Sequence, residues 1–132
     1  MQQLFDLGCR LFGAAPKRVI EWYDGPLAYT VELDGKTYLA YFVNDDREKF
    51  EMTYMFFVDR DGLVDRVADS KIPILDFCRQ IGRAILVRGS FDQAKVMSVE
   101  VKPFMTLLEL GYIPDDVHLT FERTPELTYN GW

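Results

Sequence analysis

The chain has 132 residues, 48% of them hydrophobic and 27% charged, a balance that fits one globular domain and excludes a disordered or collagen-like chain. Its 21 acids against 15 Lys and Arg give a net charge of −6, which repels nucleic-acid phosphates and acidic membranes unless a basic cluster is set apart, and the sequence holds no such cluster. The acids are interspersed with bases in N-D-D-R-E-K-F-E and D-R-D-G-L-V-D-R, which argues against a nucleic-acid mimic. No apolar run approaches the ~20 residues of a membrane helix. The start of the chain, with Asp6 and Arg10, lacks the basic opening of a signal peptide. Cys9 and Cys78 each sit among apolar residues at helical spacing, so they read as free thiols and the expected location is cytoplasmic.

In chain order, residues 2–12 predict an amphipathic helix with Leu4, Phe5, Leu7, Leu11 and Phe12 on one side, ended by Gly13. Residues 19–23 predict a strand, broken by D-G-P at 24–26. Residues 27–33 and 36–43 predict a hairpin, because Asp34-Gly35 supplies the two positive-φ positions of a type I′ turn. Residues 44–49 read as a solvated loop and residues 50–58 as the next strand. Asp61 then predicts the cap of a helix over 62–69. Residues 73–81 predict a second helix with proline in its first turn and Gly82 closing it. Residues 83–88 and 94–101 predict two more strands, 104–110 a short helix, 117–123 a last strand and 124–132 an exposed tail.

Two of these strands are apolar on both faces. Tyr38, Ala40 and Phe42 alternate with Leu39, Tyr41 and Val43, and Tyr54 and Phe56 alternate with Met55 and Phe57. A strand with one wet face alternates with polar residues, so both faces of this sheet need covering, by helices or by another subunit. The expected fold is a single α+β domain over 1–132. Its core of sheet and helices occupies 18–101, as a twisted antiparallel meander, open or barrel-like, with two to three helices packed on it.

The run V-I-E-W-Y-D-G-P-L-A-Y-T-V-E-L-D-G-K-T-Y-L-A-Y-F-V resembles the start of a family of bacterial and phage proteins of unknown function, the DUF6575 type. That family places a hydrophobic-E-Y-Y-D-G-P-L segment before a strand, an Asp/Asn-Gly hairpin and a Y-L-A strand. An acidic loop, another strand and a helix follow, the last position matched here by I-P-I-L-D-F-C at 72–78. The likeness spans about residues 18–82, and the N-terminal helix and C-terminal third depart from it. It implies a small α+β domain and a phage or bacterial conflict setting, and carries over no catalytic residue.

Candidate chemistry is sparse. His118 is the single histidine, and on a strand it shares a face with Asp116; one His and one acid make an incomplete metal site. D-R-D-G-L-V-D lacks the sixth-position Gly and twelfth-position Glu of a calcium loop. Neither R-G-S-F nor L-F-G-A-A-P-K matches a phosphate-binding fingerprint, and Ser90 lacks a G-x-S-x-G elbow. No cofactor or metal is implied. The leading expectation is a non-enzymatic interaction protein that binds itself or another protein, through Trp22, Tyr23, Leu39, Tyr41, Met55 and Phe57. The competing expectation is a binder, or sponge, of a small molecule or signalling nucleotide, using Arg83, Arg88 and Tyr41, since Arg matches phosphate geometry and rings accept bases. A small enzyme built on Asp116 and His118 is the third.

Overall fold

A computed structural model describes residues 2–22, 26–46, 48–69, 71–90, 92 and 95–113. Among these residues six strands form one antiparallel sheet in sequential order: β1 (Arg18–Trp22), β2 (Pro26–Leu33), β3 (Lys36–Asp46), β4 (Glu51–Val58), β5 (Arg83–Ser90) and β6 (Lys95–Pro103). The hairpin of β2 and β3 is fixed by Asp34 at φ 54° and Gly35 at φ 77°, which set Leu33 opposite Lys36. β3 continues to Asp46, so the segment expected as a loop at 44–49 is half strand. Among the described residues the sheet is open, with β1 and β6 at its two ends, and the barrel-like alternative does not hold. The apolar residues of both faces are met by helices rather than by strands curling back on themselves.

Helix α1 (Gln2–Gly13) covers one face, where Leu11 packs with Tyr29, Val31, Tyr38, Ala40, Tyr54, Phe56 and Val87. Phe5, expected on its buried side, is 38% exposed. Helices α2 (Leu63–Ala68), α3 (Ile74–Ile81) and α4 (Phe104–Glu109) cover the other. There Leu39, Met55 and Phe57 pack with Leu63, Val64, Val67, Ile74, Phe77 and Leu107. Phe57 meets Phe77 edge to face, with ring centroids 5.5 Å apart. The Arg79 guanidinium lies 5.5 Å from the centre of the Phe104 ring and ties α3 to α4.

The start of α2 differs from the expected cap. Asp61 (φ 56°) and Gly62 (φ 73°) form a second left-handed pair, closed by the Leu63 N–H on the Arg60 carbonyl at 3.1 Å. Asp61 is thereby spent on the turn, and Asp59 Oδ1 accepts the Val64 N–H at 3.0 Å instead. α3 ends as expected, on Gly82 at φ 90°.

Coverage from within the chain corrects the expected interface. Leu39, Met55 and Phe57 are fully buried beneath α2 and α3, in the core of their own subunit, and Tyr41 is half-buried beside them. Helices already occupy the face that a partner was expected to cover. Tyr23 and the Trp22 side chain lie outside the described residues, as do the expected strand at 117–123 and the tail at 124–132.

Candidate functional site

The α2–α4 face is covered over only part of its length. The strand register arranges its side chains in rows that cross the sheet. One row runs Tyr41, Met55, Leu86 and Glu100 across β3 to β6. The next runs Asn44, Thr53, Arg88 and Ser98, and the one after it begins Asp46, Glu51 and Ser90. The face turns from apolar to polar within a single row, where the helices stop covering it.

A cleft of about 460 Å³ occupies this polar end. Its floor is the Asn44–Thr53–Arg88–Ser98 row, with Leu86 and Glu100 toward the core and Asp46, Lys49 and Glu51 toward the β3–β4 turn. Two local irregularities build it. A bulge in β3 between Phe42 and Asn44 shifts the alternation by one, so Asn44 and Asp46 share the face of Thr53 and Glu51. The chain then leaves α4 through Gly111 at φ 75°, with the Gly111 N–H on the Leu108 carbonyl and the Tyr112 N–H on the Leu107 carbonyl, both at 3.1 Å. This Schellman closure turns Tyr112 back over the sheet to wall the cleft.

The lining carries three carboxylates (Asp46, Glu51, Glu100) against two cations (Lys49, Arg88). Among the described residues, Arg88, Glu51 and Glu100 make no ion pair with one another or with any other side chain. Arg88 lies between two hydroxyl side chains, Thr53 on one neighbouring strand and Ser98 on the other. Such a guanidinium, flanked by hydroxyls, suits one carboxylate or phosphate group. The surrounding carboxylates accept from ammonium or hydroxyl donors and oppose a second negative charge.

Of the residues expected in a ligand site, Arg88 lines the cleft. Arg83 pairs with Pro103 at the opposite end of β5, five residues and roughly 17 Å away at strand rise, so the two arginines do not converge. Tyr41 sits one row inward, among the core residues, and the tyrosine of the cleft is Tyr112. Asp116 and His118 lie outside the described residues. Asn44, Asp46, Thr53, Ser98 and Glu100 were not singled out by sequence. The alternation that marks Thr53 and Glu51 was legible, whereas the β3 bulge that brings in Asn44 and Asp46 has no signature in N-D-D.

Among the described residues, no three His, Cys, Asp or Glu side chains are grouped to hold a metal. Burial pushes the Cys78 thiol up, away from the thiolate a nucleophile needs. No helix among the described residues is long and apolar enough to cross a membrane. No protein-family model, curated protein or solved structure matches the chain.

Proposed function

We propose that this is a non-enzymatic binding protein whose cleft holds a small polar molecule bearing one anionic group together with amino or hydroxyl donors. The observation that carries the reading is the row Asn44–Thr53–Arg88–Ser98, which sets an arginine with no ion pair among the described residues at the floor of a concave site otherwise rich in acceptors. Zwitterions and monophosphorylated polyols have this pattern of charge. A signalling nucleotide with several phosphates fits it less well, because three carboxylates stand around the one guanidinium.

Native mass spectrometry of the purified protein, followed by thermal-shift titration with amino acids and sugar monophosphates, tests the reading. A retained mass or a ligand-dependent rise in melting temperature is expected, and Arg88→Met should weaken binding by about tenfold or more. No retained mass and no stabilisation by either class, or full binding by Arg88→Met, would refute it.

A further inference from the structure

The charges of the cleft follow the strand register. Arg88 stands opposite Thr53 on β4 and Ser98 on β6. Two residues along each neighbouring strand stands a glutamate: Glu51, level with Ser90, and Glu100, level with Leu86. The two carboxylates therefore flank the guanidinium on opposite diagonals, each about 7 Å from it between Cβ atoms. Side chains of this length can close that gap, yet among the described residues none of the three is ion-paired.

The two flanks differ in kind. On one, the β3 bulge sets Asp46 directly opposite Glu51, so two carboxylates face each other across β3 and β4. Like charges in that position repel, and among the described residues Lys49 of the same turn forms an ion pair with neither. A cation held between them turns the repulsion into attraction. On the other flank Glu100 stands opposite Leu86, and Tyr112, which packs on the same core cluster as Leu86, walls the cleft. Leu86 is buried, Tyr112 half-buried and Glu100 exposed. An apolar surface with a carboxylate at its margin suits a hydrocarbon stem that carries a positive charge at its tip. An aromatic wall attracts such a tip as well.

Three carboxylates against two cations leave the lining one negative charge in excess. A polyol monophosphate adds to that excess, a simple zwitterion leaves it, and a zwitterion with one further cationic group cancels it. We infer, given that the cleft holds a small polar molecule as proposed above, that its ligand is a basic amino acid of the lysine or ornithine type. The ligand carboxylate lies on Arg88 between the Thr53 and Ser98 hydroxyls. The α-ammonium turns toward the Asp46–Glu51 pair. The methylene stem runs over Leu86 beside Tyr112 and sets its terminal ammonium on Glu100.

Isothermal titration calorimetry of the full chain with lysine, norleucine, cadaverine and glycerol phosphate tests the assignment. Norleucine keeps the carboxylate and the stem but lacks the terminal ammonium. Cadaverine keeps both cationic ends and lacks the carboxylate. Lysine is expected to bind at least about tenfold tighter than either, and glycerol phosphate weakest. Glu100→Gln should weaken lysine binding by about tenfold and bring the ratio of lysine to norleucine affinity close to one. A change that merely disturbed the cleft would weaken both alike. Glu100 is exposed, so the variant's melting curve should match that of the wild type. Norleucine, cadaverine or glycerol phosphate binding as tightly as lysine would overturn the inference while the cleft remained a small-molecule site. A preference for lysine that survives Glu100→Gln would overturn it as well. Binding of none of the four would also overturn it, and the retained-mass measurement above then decides separately on the cleft itself.

Discussion

The two faces of the sheet are equally apolar at their centres, yet one is sealed and the other opens into a cleft. One helix, α1, seals the first face because its Gly8 lets the backbone approach β6 closely, and because Tyr29, Tyr38, Tyr54 and Phe56 fill the space around it. Three short helices share the second face and stop one row short of its polar end. Composition did not separate these outcomes. Helix reach did, and a binding site follows where cover ends before the strands do.

Adjacent residues on β4 give the sharpest test of equal cores on unequal faces. Phe56 points to α1 and Phe57 to α2 and α3, and both are fully buried. Replacing either with Ala removes a buried ring and leaves a cavity, at a cost of about 3–5 kcal/mol. Phe57→Ala loses the edge-to-face contact with Phe77 at 5.5 Å and Phe56→Ala the longer, tilted one with Tyr54 at 6.3 Å, so chemical denaturation should rank Phe57→Ala the more damaging by only about 0.5 kcal/mol. Equal losses would mean that the single-helix face is packed as tightly as the three-helix one.

Alkali separates the faces next. Tyr29 and Tyr54 stack edge to face at 5.6 Å on the α1 side, and burial raises both phenols, Tyr54 to about 12. The folded state favours their neutral forms. The contribution is complete below pH ~10, where the unfolded phenol still holds its proton, and it drains away as pH rises toward the folded value. Tyr54 alone accounts for about 2–3 kcal/mol of such loss. Urea unfolding from about pH 9 upward should show the decline, and Tyr54→Phe should flatten it, with Tyr29 supplying the remainder. A wild-type protein whose stability holds steady above pH ~11 contradicts the burial of these hydroxyls.

Much of this architecture was legible in the sequence. Asp34-Gly35 fixed a hairpin, Gly82 closed a helix, and doubly apolar β3 and β4 announced cover on both faces. What covered them was not legible, because a helix and a second subunit place the same demand on Leu39, Met55 and Phe57. Arg88 was visible as an anion-binding candidate, but its neighbours were not. They converge through the β3 bulge and the Gly111 turn, long-range placements that alternation alone cannot supply. Arg83 and Arg88 looked equivalent in sequence, and strand rise put them at opposite ends of β5.

The close approach of α1 is itself testable. A Cβ on Gly8 would stand 2.8 Å from Val99 Cγ1 and closer still to Cγ2. Alanine normally stabilises a helix interior relative to glycine by about 1 kcal/mol. Here Gly8→Ala should instead destabilise by about 1–3 kcal/mol, since α1 must lift from β6 or Val99 must shift. Adding Val99→Ala should restore most of the loss in a double-mutant cycle, a coupling unexpected if α1 sat loosely on this face.

The smallest expected effect is at the surface, where ionic ties also reach the α1 face. Arg10 Nη1 and Nη2 donate to the two oxygens of Asp34 at 2.8 Å each, and Lys17 pairs with Glu32 beside them. The forked geometry fixes the end of α1 against the β2–β3 turn, but both Arg10 and Asp34 are solvent-exposed, so the tie adds orientation more than stability. Arg10 holds the Asp34 carboxyl below its usual range. Its contribution is therefore present above the ordinary carboxylate pKa and is lost as pH falls through the lowered value. Asp34→Asn should reduce the melting temperature slightly at neutral pH and low salt. The difference should vanish in high salt and again in strong acid, where the wild-type carboxyl is protonated too. A difference that survives both conditions would show the pair holding α1 in place by packing, through the Arg10 stem, rather than by charge.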